Sequence, residues 1–426
     1  MAIEFLGGFE STYQPAYDVD VAETTGHARR WRQDLELLAG CGVRRVRYPV
    51  RWHRIERRPR QFDWSGPDQV LGYMRDNGFR PVVDLLHFTS YPRWLRRGFA
   101  DRRFADAYLR YTEAFARRYP WVSEYTLLNE PFTTFMLCGH EGVWPPYLRG
   151  LKGLLTLAAN AFPAVAAASR AYRDLLPGAR HVYVESCERH TAATPDAAPS
   201  AASANDRRFF LLDLFTGRAL DPDRPFVAQV RAARADALLA MEPGSLDVLG
   251  LDYYAHNQWT YLDRTGRGTS PAGDPAPLAS LLVEYHERYA VPCMLSETNI
   301  RGFASDRASW LKYTLEQCET ARDAGVPVEG YCWFPTVDSA DWDSMLRRAD
   351  GHLDPVGVFW LDASLERRQS SMSAAWARAA RGAPAAELPA YRFQPPVDRQ
   401  LRGWMPQMAH WEWRDPPAGE VVSPGR

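Results

Sequence analysis

The chain has 426 residues, 46% of them hydrophobic and 13% aromatic, with 51 Lys and Arg against 52 Asp and Glu for a formal net charge of −1. That apolar share is enough to bury a large core and too high for a disordered chain, and interleaved charges near balance argue against a nucleic-acid partner, which would call for a basic face. The sequence shows no run of about 18 apolar residues that would cross a bilayer, and Met1–Phe9 lacks the charged start and long apolar stretch of a secretory leader.

In chain order, short and almost continuously apolar runs alternate with longer segments of helical periodicity. The predicted strands are Ile3–Phe9, Val43–Pro49, Pro81–His87, Tyr125–Asn129, His181–Glu185, Val248–Tyr254, Val291–Ser296 and Val328–Phe334. Continuous rather than alternating apolarity suits parallel strands covered by helices. Between them, Arg30–Cys41 puts Trp31, Leu35 and Leu38 on one face, and Arg102–Tyr119 repeats Phe104, Tyr108, Tyr111 and Phe115 at spacings of three and four. Leu154–Leu176 is Ala-rich, and Asp306–Ala324 is again periodic. Eight such strand–helix alternations predict the α/β class and a single (β/α)8 TIM barrel over residues 1–382. A doubly wound sheet is the competitor, but no Gly-rich phosphate turn follows the first strand. Thr191–Asn205 and Asp263–Pro277 read as long loops after strands five and six. The Pro-rich extension 383–426, with Trp404, Trp411 and Trp413, is expected to wrap over the barrel and end in disorder. Cys41, Cys138, Cys187, Cys293, Cys318 and Cys332 stand singly, without metal-ligand or redox spacing, so neither a metal nor a cofactor is expected. A cytoplasmic protein follows, with no membrane partner and an oligomeric state left open.

In such barrels the reacting residues emerge where strands end. That rule singles out Gln14 after strand one, Arg47 on strand two, His87 on strand three and Asn129-Glu130-Pro131 on strand four. It adds Tyr253-Tyr254 on strand six, Ser296-Glu297 on strand seven, and Trp333, Asp338, Asp341 and Trp342 at and beyond strand eight. Glu130 and Glu297 thus converge on one face. Glycosidic cleavage needs such a carboxyl pair, one protonating the leaving oxygen and the other attacking the anomeric carbon or activating water. A separation of about 5 Å gives retention and about 6.5–9.5 Å gives inversion; topology alone does not choose between them.

The motifs Gly7–Gln14, Arg47–Trp52, Asn129-Glu130-Pro131, Gly250–Tyr254, Ser296-Glu297-Thr298-Asn299, Tyr331–Trp342 and Val356–Phe359, with His87, resemble those of glycoside hydrolase family 1. This is the β-glucosidase family of retaining barrels, and the likeness runs from about Phe5 to Ala377. The resemblance implies Glu130 as acid/base, Glu297 as nucleophile, and Asn129 on the sugar 2-hydroxyl. It gives Arg47 and Tyr254 the task of holding Glu297 charged and aimed. Gln14, His87 and Asp341 would bind glycone hydroxyls, with Trp333 or Trp342 as stacking platform. Four departures bear on substrate: Phe88 follows His87 where the family has Trp, Asp252 replaces Asn, Asp341 replaces a longer Glu, and Trp333 is displaced by one place, leaving Phe334 aligned. Ser339 with Arg347 and Arg348 partly echoes the loop of phospho-sugar members. The expected activity is a retaining β-glycosidase acting on a carbohydrate. An endo-acting glycanase or transglycosidase of the same clan is the alternative, then a non-catalytic sugar-binding barrel.

Overall fold

The computed structural model describes residues 3–263, 270, 271, 277–389 and 391. Eight parallel strands form a closed barrel: β1 Glu4–Gly8, β2 Arg45–Pro49, β3 Arg80–Asp84, β4 Glu124–Thr126, β5 Arg180–Ser186, β6 Val248–Asp252, β7 Cys293–Glu297 and β8 Val328–Trp333. Each pairs with its sequence neighbours, and β8 closes on β1 with Leu6 opposite Cys332. The main covering helices are α1 His27–Gly40, α2 Ser65–Asp76, α3 Phe104–Arg118, α4 Gly150–Leu175, α5 Phe210–Thr216, α6 Pro277–Tyr289, α7 Ala304–Asp323 and α8 Ser371–Ala380.

Two cores follow from the two-residue period of the strands. Leu6, Val82, Val182, Val184, Val248, Met294 and Cys332 point inward and pack as a small cluster inside the barrel. Their neighbours Phe5, Val83, Tyr183, Leu249, Leu295 and Tyr331 point outward into the helix layer. The periodic aromatics of α3 are fully buried there, with Trp52 stacked on Tyr111 at 4.9 Å. The barrel interior also holds charge. On β2, Arg45 and Arg47 share the inward face; Arg45 donates twice to Glu124 of β4, at 2.7 and 2.6 Å, and Arg47, one step higher, reaches the mouth. Gly250 on β6 is needed for room: a Cβ there would stand 2.6 Å from Ser296 Oγ and 2.9 Å from Val184 Cγ2.

The eight strand positions agree with the sequence reading, but their ends differ. β3, β4 and β6 stop at Asp84, Thr126 and Asp252 rather than at His87, Asn129 and Tyr254. The regular ladder ends there, and the chain turns up into the loops that carry the site. Thr191–Asn205, read as a loop, is largely ordered: Arg189–Ala192 pairs with Gln258–Tyr261, and Ala198–Arg207 is helical. Its Ala-rich composition favours helix once it can pack on a neighbour. Helix α4 is long and apolar enough to cross a membrane by length and composition, yet 67% of its most apolar window is buried in the protein. Most of the Asp263–Pro277 segment and nearly all of the extension from 390 on, including Trp404, Trp411 and Trp413, lie outside the described residues.

Candidate active site

Glu297 reaches the barrel mouth through an irregularity in β7. Leu295 pairs with Leu251 and Glu297 with Asp252, so Ser296 is the extra residue of a bulge. Strict alternation would turn Glu297 away from Ser296's side; the bulge brings both toward the lumen, as bulges beside active sites do. Arg47 donates to Glu297 Oε1 at 2.6 Å and to the Ser296 carbonyl at 3.0 Å. Its other nitrogen donates to Asn129 Oδ1 at 2.9 Å and lies 3.5 Å from Asp84. Tyr254 donates its hydroxyl to Glu297 Oε2 at 2.6 Å. Both carboxylate oxygens are therefore fixed, by donors from β2 and from the loop after β6, which sets the rotamer of Glu297. Because Asn129 accepts from Arg47, its orientation is fixed too, and Nδ2 is left as a buried donor without a partner.

Glu130 follows in a left-handed backbone conformation, φ 41°. The turn is held by its neighbours: Asn129 N–H donates to the Leu86 carbonyl at 2.9 Å and Glu130 N–H to that of Val184 at 3.1 Å. A short helix, Pro131–Phe135, starts at once. Its first amides are capped from β5, since Phe132 N–H donates to Glu185 at 2.7 Å and Thr133 adds its N–H and hydroxyl at 3.3 and 3.2 Å. Burial, then the nearby carboxyls of Asp252 and Glu297, push the Glu130 carboxyl well above its ordinary range. A proton donor at neutral pH requires that shift. Burial likewise carries Glu185 up to about 7 against its backbone donors, and burial with the Glu297 charge raises Asp252 well above the usual Asp range.

On the opposite rim His87 is buried, with Nδ1 2.7 Å from Asp84 and Nε2 3.4 Å from Glu10. Burial opposes its charge, but Asp84 and Glu10 carry it up to about 10. Phe334 lies against both cations of this region, 5.3 Å below the Arg47 guanidinium and stacked on His87 at 5.8 Å.

Glu130, Glu297 and Tyr254 line one cavity of about 820 Å³, measured with its open mouth, together with Glu10, Phe88, Ser186, Glu188, His256, Phe334, Ser339 and Trp342. Among the residues singled out from sequence, Arg47 and Asn129 brace this wall and Trp342 is part of it. Trp342 meets Phe88 and Trp144 edge-on, at 6.1 and 5.8 Å, and its indole N–H has no partner among the described residues. Two expectations are corrected. Trp333 faces the helix layer, fully buried, with its indole donating to the Val356 carbonyl at 2.8 Å; parity along β8 gives the lumen to Cys332 and Phe334. Asp341 is turned into its own loop at φ 61°, where Gly351 and His352 N–H groups donate to its two oxygens at 3.0 and 2.9 Å. It ties the loop and does not line the cavity. Gln14 is buried with Nε2 unpartnered, but it too is absent from the lining. Arg347 and Arg348 are exposed and stand outside the cavity, so neither is placed with Ser339 for a phosphate there. Sequence reasoning did not single out Glu10, Glu185, Glu188 or His256. Only their place near strand ends could have suggested them.

The motif geometry has a counterpart in known proteins. Glycosyl hydrolase family 1 matches residues 10–275, more than half of the chain. This chain belongs to glycosyl hydrolase family 1. Beta-glucosidase A of Thermotoga maritima is 21% identical over 384 residues, covering 82% of this chain and 85% of that one. The beta-glucosidase of Agrobacterium sp. is 24% identical, covering 82% and 83%, and a bifunctional beta-D-glucosidase/beta-D-fucosidase of Bifidobacterium breve is 24% identical, covering 84% and 87%. Among solved structures, the Thermotoga maritima beta-glucosidase in complex with glucoimidazole superposes with a TM-score of 0.71 at 19% identity, over 84% of this chain and 87% of that one. Its complex with castanospermine gives 0.73 at 17%, over 89% and 97%. As a family 1 member the enzyme is a retaining β-glycosidase.

Proposed function

We propose that this family 1 enzyme acts exo, releasing one neutral sugar at a time from small β-glycosides. Glu297 attacks the anomeric carbon while Glu130 gives its proton to the departing oxygen; Glu130 then takes a proton from water as that water displaces Glu297. The observation that carries the exo reading is the asymmetry of the cavity. On the side of β1, β3 and β8 Glu10, Phe88, Phe334 and Ser339 are buried and only Trp342 is partly exposed, whereas on the side of β5 and β6 Ser186, Glu188, Tyr254 and His256 are all partly exposed. A pocket closed at one end fits a terminal residue, while an endo-acting glycanase needs a cleft open at both. Relatives named as β-glucosidases support a glucose-like glycone. Residence in the cytoplasm is part of the proposal, supported by six cysteines that all stand unpaired.

The test is turnover of aryl β-glucoside, galactoside, mannoside, fucoside, xyloside, glucuronide and 6-phosphoglucoside, beside Glu297→Ala. Turnover of a neutral member that vanishes in the variant supports the proposal. Activity on internal linkages of a polymer, with none on aryl monosaccharides, would replace it with the endo reading.

A further inference from the structure

Glu10 is a carboxylate in the closed end of the cavity that no part of the catalytic scheme uses. It follows β1 and is 8% exposed. One oxygen, Oε1, takes the N–H groups of Ser11 and Thr12, both at 2.8 Å, and the Thr12 hydroxyl at 2.7 Å; His87 Nε2 is 3.4 Å from the same atom. Among the described residues no donor reaches Oε2, and the residue lines the cavity. The loop thus clamps one oxygen and presents the other. Burial works against its charge, but His87 and the Thr12 donors outweigh burial and hold the group below the ordinary Glu range. An ionised carboxylate oxygen with no partner is a strong acceptor for a ligand's O–H.

Its position assigns the subsite. Glu130 on β4 and Glu297 on β7 stand across the mouth from each other, and β5 and β6 lie on one side of that line while β8, β1, β2 and β3 lie on the other. The second side is the closed one, and Glu10, Phe88, Phe334 and Trp342 converge there. The longer Glu expected in the loop after β8 is here Asp341, whose two oxygens are consumed by Gly351 and His352. The closed end therefore receives its free carboxylate oxygen from the first loop instead of the last.

We propose that Glu10 is a glycone-specificity residue, accepting a hydroxyl of a neutral sugar through Oε2 and repelling glycones that carry a carboxylate or phosphate. The proposal rests on the β-glycosidase reading above. No Lys or Arg lines this cavity among the described residues, so no cation beyond His87, already paired with Glu10 and Asp84, faces an anionic sugar there.

The experiment measures kcat/KM for wild type, Glu10→Gln and Glu10→Ala on the best neutral aryl β-glycoside, its 3-, 4- and 6-deoxy forms, and the matching uronide. Glu10→Gln keeps an oxygen for the Ser11 and Thr12 donors, so its loop stays clamped, while an NH2 replaces the presented oxygen. In wild type, removing the hydroxyl that meets Glu10 lowers kcat/KM by about 10- to 100-fold, as for a hydrogen bond to a charged group. In Glu10→Ala the parent glycoside loses a similar factor and that one deoxy penalty disappears, while the other penalties persist. Glu10→Gln raises the uronide-to-parent ratio by about 10-fold or more. If both variants keep every deoxy penalty and the wild-type uronide ratio, Glu10 is structural and the proposal is overturned. If wild type turns over no member of the panel, the β-glycosidase reading itself fails and this proposal falls with it.

Discussion

Asp252→Asn separates charge from shape at the centre of the site. Asp252 is fully buried on β6; one oxygen accepts from the Ser296 hydroxyl at 2.6 Å and the other has no partner. Asn preserves the accepted hydrogen bond and loses none, so what changes is the possibility of charge. Asp252 is the cross-strand partner of Glu297. At an interstrand spacing of about 5 Å and an effective dielectric of about 20, ionising Asp252 beside Glu297 would cost about 3 kcal/mol in repulsion. A carboxyl raised by burial and by Glu297 binds its proton more tightly folded than unfolded. Native stability is then lost as pH rises above the ordinary Asp range of about 4, and Asn removes that loss. A chain of 426 residues unfolding as a unit has an entropy near 0.9 kcal/mol per kelvin, at about 2.1 cal/mol/K per residue. The variant should therefore melt about 3 °C higher than wild type at pH 8 and at the same temperature at pH 4. Thermal unfolding at the two pH values reads this directly. Its kcat/KM should remain within about tenfold, or 1.4 kcal/mol of barrier. A shift of equal size at both pH values refutes the charge argument. A large loss of activity with intact folding would show that an ionised Asp252 is required.

Tyr254→Phe removes the hydroxyl that donates to Glu297, a hydrogen bond to a charged group worth about 1.5–3 kcal/mol, so kcat/KM should fall about 10- to 150-fold with the fold unchanged; a fall below threefold would mean that Arg47 alone orients the nucleophile. His87, raised to about 10 from 6.5, contributes stability that is complete below pH 6.5 and lost as pH climbs through 10, up to about 5 kcal/mol from 3.5 units at 1.36 each. Denaturant unfolding of His87→Gln should lack that alkaline decline, and an identical decline in both proteins would place its origin elsewhere. Asp341→Ala should cost about 1–3 kcal/mol by leaving two loop amides unpaired, with the ranking of aryl glycosides unchanged; a reordered ranking would return Asp341 to the sugar subsite.

The barrel was legible because its signal is redundant. Eight apolar runs with turns at both ends leave few alternatives, and the pair Glu130 and Glu297 stands at strand ends where such a fold presents its chemistry. The misreadings share a cause: they depend on which way a side chain turns, not on what it is. An aromatic at the end of β8 looks like a sugar platform, but Cys332 lies inside the barrel, so Trp333 points out and Phe334 in; a one-residue step changes the face. Asp341 carries the expected chemistry and spends it on Gly351 and His352, because the loop turns back at a positive φ. Glu10 failed in the other direction. It lies within Gly7–Gln14 but is not one of that motif's defining residues, and only the clamp by Ser11 and Thr12 shows that one of its oxygens is presented to the cavity. Glu297 faces the mouth by virtue of a bulge that no residue pattern announces.

The acid/base assignment rests on a charge balance that these same departures tighten. Arg47 is the cation shared by Glu297, Asn129 and, at 3.5 Å, Asp84. Around it stand Glu130, Glu185 and Asp252, all pushed upward by burial. One buried guanidinium stabilises one carboxylate at close range, and further negative charge would have to be held in a dry interior against repulsion. Glu130 and Asp252 therefore keep their protons, and that condition gives Glu130 a proton to donate. Asp252 in place of Asn does not upset the balance, because a protonated Asp is as neutral as the amide it replaces. Glu10 can stay charged because His87, which it shares with Asp84, stands 3.4 Å from it. Two cations joined through Asp84, Arg47 on Glu297 and His87 beside Glu10, divide the pocket between an end that binds the sugar and a centre that breaks the bond.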